Sequence, residues 1–465
     1  MTCHKLAAAS FQLLSLVSFL LFLNPDSSIF LEATTIFANS NTADDERSNA
    51  ACIEEERKAL LEFKRDLQDP LLALHYWVGK DCCNWHGIVC NNQTVPLPTS
   101  IGNLSNLHNL DLSSNSTSGP LPTSIGNLSN LQNLDLSSNS ISGPLPTWIG
   151  SLSNLQNLYL SFNSIFGPLP TSIGSLSNLQ NLYLFSYSIS CPLPTSIGNL
   201  SNLQNLYLSS NSISGPLPTS IGNLSNLQSL YLSWNSISGP LPTSIGSLSN
   251  LQSLDLSSNS KMNGTIPESI GQLRELEHKY LDCCSWEVFI SENHFQNTSR
   301  LHTFSLSSEA SNSLVFNVSH VWIPIFNLKI LYITDSKLMD TAFPMWLRSQ
   351  KFLNILILQR LGISDIIPDW FWRFSPFLQY MSLSHNQLRG NLPKSVSSTL
   401  QNVSMKNNSL VGSLPLWPNV TQLSLASNRF SGPLPLNIGH EMSKLVFLDL
   451  SRNYFSGNIP RDWTG

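Results

Sequence analysis

The chain offers few side chains that could do chemistry. Its 465 residues include eight cysteines and ten histidines. Catalysis needs a nucleophile with a base and an oriented partner, or two carboxylates across a cleft. The histidines are scattered, and the sequence has no HExxH, GxSxG or glycine-rich phosphate loop. We therefore predict that the chain is not an enzyme and has no catalytic residue and no cofactor.

The densest group of reactive side chains lies near the N-terminus. It consists of Cys52, Cys82, Cys83 and Cys90. In an exported chain such cysteines form disulfide bonds, because these bonds persist in oxidising compartments. A zinc site formed by the last three of these thiols and His86 is the alternative, since thiolate and imidazole are ligands that zinc prefers. We favour two disulfide bonds and predict no metal site.

The first residues are predicted to direct export. His4 and Lys5 precede an apolar run from Leu6 to Leu23. A short cationic start followed by an apolar segment is typical of a secretory signal peptide. We assign it to residues 1–30, with cleavage between 24 and 38; an uncleaved signal anchor is the alternative, because the run just reaches spanning length. Residues 39–50 are polar and are predicted to form a disordered stem.

The charge content argues against a nucleic-acid partner. Lys and Arg number 24 against 29 Asp and Glu, and charged residues make up 11% of the chain, where globular proteins have about 25%. A polyphosphate needs a basic surface, which this composition does not supply. Between Asn91 and Leu254 the only charged residues are Asp111 and Asp135. We expect little electrostatic steering of partners by that half.

An internal repeat decides the fold. Residues 200–223 read LSNLQNLYLSSNSISGPLPTSIGN. Near-identical copies follow a spacing of 24 residues, and looser copies extend to the C-terminus, which gives fifteen units with the first full unit at residue 104. The near-identical units begin at Leu104, Leu128, Leu152, Leu176, Leu200, Leu224 and Leu248, and the looser ones at Leu273, Thr298, Ile325, Gln350, Ser375, Ser397, Trp417 and Met442.

The template LxxLxxLxLxxN describes one short strand and the turn after it. Strand alternation directs the two leucines of LxL inward and the residue between them to solvent. The closing Asn can satisfy backbone groups where the chain turns, and the Gly-Pro and Leu-Pro pairs that follow exclude a regular helix there. One unit cannot bury its own leucines, but stacked units can, with parallel strands about 4.8 Å apart. We predict an α/β solenoid.

The template LxxLxLxxNxxSGPLPxxIGxLxxL resembles the plant-type leucine-rich repeat. Residues 52–90 resemble the N-terminal cap of plant receptor-like proteins and receptor kinases, and segments such as NGTIPESIGQL and SGPLPLNIGHEMSKL are similar to the class that includes elicitor receptors. The resemblance implies a horseshoe or superhelix with a concave parallel sheet over residues 92–465. It also implies a helical cap over 51–91, stapled by Cys52 with Cys82 and Cys83 with Cys90.

The helix of the cap is predicted from its apolar stripe. Ala59, Leu60, Phe63 and Leu67 recur at helical spacing, and three glutamates precede them, where the helix dipole favours anions. We expect this helix to cover the open end of the repeat array, as repeat proteins require.

The residues between the two core leucines form the candidate partner-binding surface. They include four tyrosines flanked by acids, and two further aromatic residues follow three positions later. Aromatic side chains supply large contact area at low entropic cost. The alternative is that duplication copied one Tyr four times without any contact to a partner. The candidates are Tyr159, Tyr183, Tyr207, Tyr231, Phe162, Trp234, Asp111, Asp135 and Asp255.

Twelve Asn-x-Ser/Thr sequons predict N-glycosylation, which would support solubility in a chain with so few charges. Four of them recur at one repeat position, where we expect the sugar to leave the concave sheet clear. The sequons are at Asn92, Asn103, Asn115, Asn127, Asn199, Asn223, Asn263, Asn297, Asn317, Asn402, Asn407 and Asn419.

The resemblance favours a cell-surface receptor ectodomain. It implies recognition of a protein or peptide for defence or developmental signalling, with a co-receptor kinase as second partner, at the plasma membrane or in the apoplast. A complete receptor would continue into a cysteine cap, a transmembrane helix and a cytoplasmic tail. Because the sequence stops in mid-repeat, we expect a truncated product, anchored only by an uncleaved signal or a missing C-terminal span. The alternatives are a secreted inhibitor of a microbial wall-degrading enzyme and a decayed paralogue without a ligand.

Overall fold

The computed structural model describes residues 57, 61, 78–80, 82, 85, 95–185, 188–287, 289–308, 314–319 and 321–459. The predicted signal peptide, the stem and most of the cap lie outside these residues. The chain divides into two compact units. The first comprises Met1–Pro96 and Ser116–Ser118, and the second comprises Leu97–Asn115 and Gly119–Gly465.

In the first unit, the described part of the cap is packed around Trp85. Its side chain is buried, and its indole Nε1 donates a hydrogen bond to the Val78 carbonyl O over 2.8 Å. Cys82 is also buried and takes part in a disulfide bond, which a zinc thiolate would not do. Arg57 and Leu61, within the predicted cap helix, are helical. The predicted pairing involves Cys52, Cys83 and Cys90, which lie outside the described residues.

Thirty short strands alternate with turns and 3-10 helices along the described residues. In chain order they are β1 (Val95–Pro96), β2 (Asn109–Asp111), β3 (Thr117–Gly119), β4 (Asn133–Asp135), β5 (Ser140–Pro144), β6 (Asn157–Tyr159), β7 (Ser164–Pro168), β8 (Asn181–Tyr183), β9 (Ile189–Cys191), β10 (Asn205–Tyr207), β11 (Ser212–Gly215), β12 (Ser229–Tyr231), β13 (Ser236–Ile237), β14 (Ser253–Asp255), β15 (Asn263–Gly264), β16 (His278–Trp286), β17 (Phe289–Ile290), β18 (Thr303–Ser308), β19 (Val315–Phe316), β20 (Ile330–Thr334), β21 (Lys337–Leu338), β22 (Ile355–Gln359), β23 (Tyr380–Ser382), β24 (Arg389–Asn391), β25 (Asn402–Ser404), β26 (Ser409–Gly412), β27 (Gln422–Ser424), β28 (Arg429–Pro433), β29 (Phe447–Asp449) and β30 (Tyr454–Ser456).

One long parallel sheet, here the main sheet, contains the LxL strand of every unit from β2 to β29. Its order is β2-β4-β6-β8-β10-β12-β14-β16-β18-β20-β22-β23-β25-β27-β29, with β15 beside β16. Equivalent residues are in register: Leu182 lies opposite Leu206, and Leu206 opposite Leu230. This is the predicted solenoid with a parallel sheet, built by stacking one unit on the next.

Shorter parallel sheets form from the strands that follow the main-sheet strands. In the second unit, β5, β7, β9, β11 and β13 are neighbours, as are β17-β19-β21 and β24-β26-β28-β30. In the first unit, β1 pairs with β3, with Val95 opposite Thr117.

Short helical turns follow the strands in most units. Most are 3-10 helices that begin directly after a proline, whose fixed φ suits the residue before a helix. They are Thr99–Asn103, Thr123–Asn127, Thr147–Ser151, Thr171–Ser175, Thr195–Asn199, Thr219–Asn223, Thr243–Ser247, Glu268–Gln272, Glu292–Phe295, Met345–Ser349 and Asp369–Arg373; the α-helix α1 spans Ile438–Glu441. Their glycines permit close stacking, because a Cβ on Gly222 would lie 2.5 Å from the Ser244 carbonyl O. Among the described residues no helix is both long and apolar enough to cross a bilayer.

The core is one continuous column of apolar side chains. Leu206 and Leu208 are fully buried, as are their counterparts in the neighbouring units. The near-identical units fill the column with Leu and Ile, whereas the later units add large rings such as Trp286, Phe304 and Trp417.

The closing Asn of the template forms the predicted backbone bridge. Asn235 Nδ2 donates to the carbonyl O atoms of Leu208 (2.9 Å) and Leu232 (3.0 Å), and its Oδ1 accepts from the Ile213 amide (2.9 Å). In one later unit Cys284 replaces this Asn, and its thiol donates to the Leu256 carbonyl O over 3.5 Å. The prediction for this position is confirmed, and the Cys284 thiol takes over part of its bonding.

Candidate partner-binding site

The four predicted tyrosines form a stacked row, here the tyrosine ladder, on the solvent face of the main sheet. Tyr159, Tyr183, Tyr207 and Tyr231 are opposite one another in consecutive strands. The centroids of neighbouring rings are separated by 5.0, 4.4 and 4.6 Å along the row. In the last two pairs the ring planes are nearly parallel. All four tyrosines are half-buried, and each ring contacts the next along the row.

Packing within the ladder changes the acidity of its hydroxyls. Burial raises the pKa of Tyr183 to about 12, and the neighbouring tyrosines add to this shift. Burial also raises the pKa of Tyr159 and of Tyr231. These phenols therefore stay protonated at physiological pH and present a neutral row of donors and acceptors.

A second row, of amides, runs beside the tyrosine ladder and was not predicted. In this amide ladder each Nδ2 donates to the Oδ1 of the previous unit, over 2.5 Å from Asn181 to Asn157 and 2.7 Å from Asn205 to Asn181. Asn133 donates in the same way to Asn109, and Asn157 to Asn133. The sequence feature that could have predicted this ladder is the Asn that recurs directly before the first core leucine of each unit. Polar groups thus line the tyrosines along one side.

The predicted acids lie at both ends of the tyrosine ladder. Asp135 is opposite Tyr159, and Asp255 is opposite Tyr231. Asp111 extends the row at the first end, where the Ser113 amide donates to its Oδ1 over 2.9 Å and lowers its pKa. At the other end burial raises the pKa of Asp255. The row then continues with Tyr280, which the predicted set omitted.

Phe162 and Trp234 are exposed and held in the left-handed backbone region. Their φ angles are 57° and 56°, and their exposed fractions are 60% and 45%. The Phe162 ring lies 5.2 Å from the ring of Phe185 in the next unit. A bulky residue at positive φ is a conformational outlier. The same positive φ is found at Ser138 and Ser210, so the turn is common to the repeat, and the two exposed apolar rings are the feature particular to Phe162 and Trp234.

Next to this face, β16 carries two ionisable groups that are almost completely buried. Lys279 occupies a core leucine position, opposite Leu254 and Phe304, and its Nζ lies 4.5 Å from the centroid of the Phe295 ring. Burial lowers its pKa to about 7. Burial also raises the pKa of Asp282 to about 7, and the Oδ1 of Asp282 has no hydrogen-bond partner. The repeat template had not indicated either environment.

The sequons differ in their position within the repeat. Asn103, Asn127, Asn199 and Asn223 are each exposed at the last residue of a 3-10 helix, away from the LxL strands. Asn402, by contrast, lies in β25 of the main sheet, where its Oδ1 accepts from Thr421 Oγ1 over 3.1 Å. Asn92 lies outside the described residues. Glycosylation at these sites remains a prediction.

The stacked units and the aromatic row on one sheet face define a repeat protein with an extended sheet surface. The family model for a leucine-rich repeat region matches residues 89–192 and 171–364, more than half of the chain. The chain therefore belongs to the leucine-rich repeat family. The model for the leucine-rich repeat N-terminal domain matches residues 53–91, and that for a single leucine-rich repeat matches 377–398 and 444–465.

The chain is similar to plant receptor-like proteins. It is 34% identical over 177 residues to Receptor-like protein EIX2 of Solanum lycopersicum, which covers 37% of this chain and 17% of that protein. It is 33% identical over 126 residues to Receptor-like protein 53 of Arabidopsis thaliana, covering 26% and 13% respectively. The matches thus span less than a fifth of the length of these relatives.

Solved structures share the fold. The leucine-rich repeat ectodomain of the Arabidopsis receptor kinase HAESA, in complex with an N-terminally extended IDA peptide hormone, has 27% identity and a TM-score of 0.56, over 88% of this chain and 79% of that one. A TDR receptor has 24% identity and a TM-score of 0.60, over 81% and 77%.

Proposed function

We propose that the chain is the extracellular ligand-recognition module of a plant receptor-like protein. It binds a protein or peptide on the solvent face of the main sheet, at the plasma membrane or in the apoplast. Binding serves defence or developmental signalling through a partner kinase. The similarity to receptor-like proteins and to the HAESA ectodomain, which is solved with a peptide hormone, supports this class of function.

The observation that carries the proposal is the exposure of Phe162 and Trp234 beside the tyrosine ladder. Duplication of one unit explains four identical tyrosines, but it does not explain these two rings. The equivalent residue is Ser in the units of Ser138 and Ser210. The positive φ recurs at this repeat position in the other units, so it belongs to the repeat, and the exposed rings are what distinguish these two units. Apolar rings left in water are unfavourable in the free protein. Partner contact would bury both rings.

The charge of the surface indicates the chemistry of the ligand. The protonated tyrosines and the amide ladder are neutral, and the only charged residues in the sequence from Asn91 to Asp255 are Asp111, Asp135 and Asp255. The ligand is therefore a largely neutral segment that offers hydrogen-bonding groups and apolar side chains, with basic groups placed near the ends of the row.

A selection of ligands followed by matched substitutions tests the proposal. The secreted, glycosylated chain selects binders from a library of random peptides, and surface plasmon resonance gives each affinity. Replacing Tyr183, Tyr207 and Tyr231 together by Ala is expected to weaken binding at least about 100-fold, since buried aromatic anchors carry most of the binding energy. Tyr454→Ala is the control, because Tyr454 is exposed in β30, outside the main sheet. Equal affinity of the triple variant and the wild type would reject the proposal.

A further inference from the structure

A pocket of about 370 Å³ lies at the N-terminal ends of three neighbouring strands of the main sheet, β18, β20 and β22. Here called the flank pocket, it is lined by Ser299, His302, Asn327, Lys329 and Phe352. His302 and Lys329 directly precede Thr303 and Ile330, which are paired in register. The Lys329 amide donates to the His302 carbonyl O over 2.7 Å. Two basic side chains from adjacent units therefore line one pocket.

Lys329 brings a positive charge to the flank pocket, unlike the surface around the tyrosine ladder. Between Asn91 and Leu254 the sequence contains neither Lys nor Arg. Burial lowers the pKa of the neighbouring His278. Glu277 opposes this shift, whereas His302 and Lys329 lower the pKa further. On the same flank, Glu275 is paired with Arg300 at 2.6 Å. An anionic group is the complement of such a pocket.

The apolar side chain that lines the flank pocket is Phe352. Phe352 is about half exposed, and its ring is stacked on that of Phe377, with centroids 6.0 Å apart and planes 24° apart. Ser299 and Asn327 also line the pocket, and both are exposed, so their hydroxyl and amide groups can donate hydrogen bonds. Ligand pockets combine apolar walls with a few convergent polar groups in this way, at volumes of about 300–1,000 Å³.

We propose that the flank pocket binds an aromatic monocarboxylate, either as a free acid or as the C-terminal residue of a peptide. Lys329 supplies the charge for the carboxylate, and His302, Ser299 and Asn327 supply further hydrogen-bond donors. The ring of the ligand packs against Phe352 in an offset or edge arrangement. This site is separate from the neutral tyrosine ladder and does not depend on the function proposed for it.

Calorimetric titration of the full secreted chain with 3-phenylpropionate tests the site. We expect a Kd of about 1 mM or tighter, as befits a small fragment. The amide of the same acid is expected to bind at least 10-fold more weakly, because it cannot form the charge-assisted bond with Lys329. Lys329→Gln and Phe352→Ala are each expected to weaken the acid at least 10-fold. Lys351→Gln is the control, since Lys351 is exposed next to Phe352 but does not line the pocket.

A second titration distinguishes the two sources of the carboxylate. The probe is the dipeptide acetyl-Gly-Phe with a free C-terminus, compared with its C-terminal amide. Tighter binding of the dipeptide acid assigns the pocket to a peptide terminus, and tighter binding of 3-phenylpropionate assigns it to a free acid. The Tyr183, Tyr207 and Tyr231 triple variant is expected to bind both acids as the wild type does. Equal affinity for acid and amide, no binding of either acid, or no effect of Lys329→Gln would overturn the proposal.

Discussion

At the residue scale, Trp234 links backbone strain to the proposed binding. Its φ of 56° is costly for most L-residues, less so for Asn and most for β-branched residues. We predict that Trp234→Asn is more stable than Trp234→Val by about 1 kcal/mol, although both remove the ring. Both variants also carry Ser236→Ala, because Trp234→Asn alone would create a new Asn-x-Ser sequon. Urea unfolding midpoints of the two variants measure this difference.

Ligand affinity of the same two variants separates strain from recognition. Because both lack the exposed indole, we expect both to lose affinity for peptides that bind the tyrosine ladder. An Asn variant no more stable than the Val variant would show that the backbone conformation is not the source of strain. Wild-type affinity in both would remove Trp234 from the binding surface.

Lys279 and Asp282 make stability depend on pH with a minimum near neutrality. Lys279 has a pKa of about 7 when folded against 10.5 when unfolded, so the unfolded chain binds more protons in that interval and stability rises from pH 7 to 10.5. Asp282 has a pKa of about 7 when folded against 3.8, so the folded chain binds more protons and stability falls from pH 4 to 7.

Thermal unfolding across pH checks both limbs. Lys279→Leu is expected to stabilise the protein at pH 7 by an amount on the order of 2–3 kcal/mol and to remove the alkaline rise. Asp282→Ser is expected to remove the fall in stability between pH 4 and 7 and to leave the rise between pH 7 and 10.5. A profile that keeps its alkaline rise in Lys279→Leu would contradict the assignment of that limb to this lysine.

At the scale of the element, the closing Asn holds one strand and turn to the next. Asn235→Ala would leave the Leu208 carbonyl and the Ile213 amide without their side-chain partners in a buried site. Each buried polar group without a hydrogen-bond partner costs about 1–3 kcal/mol, so we predict that the free energy of unfolding falls by about 2–4 kcal/mol. Asn226→Ala is the matched control, because Asn226 is exposed and makes one bond, to the Ser201 carbonyl O. Urea midpoints that fall equally in both variants would contradict this role.

The strands could be predicted because their period is local. The LxL spacing alone predicts that Leu206 and Leu208 are buried and that Tyr207 faces solvent, as observed. The amide ladder depends on a contact between units, namely the distance from Asn205 to Asn181, which no single unit encodes. The burial of Lys279 likewise comes from Phe295 and Phe304, which lie far from it in the sequence or in the next unit.

At the scale of the whole molecule, the near-identical and the diverged units differ in chemistry. The first carry the neutral tyrosine ladder and the exposed Phe162 and Trp234. The second carry the basic flank pocket with Phe352 and the buried Lys279. Repetition made the first surface readable from the sequence, since each unit adds the same side chain in register. The pocket could not be predicted, because it combines residues from three units of unequal length.

The central claim is that the partner contacts the tyrosine ladder. Hydroxyl-radical footprinting of the full secreted chain with and without a selected peptide ligand tests it most directly, with mass spectrometry reporting the oxidation of each tyrosine. We predict that the ligand protects Tyr183, Tyr207 and Tyr231 and leaves Tyr454 as reactive as before. Unchanged oxidation of the ladder tyrosines in the saturated complex would contradict the account.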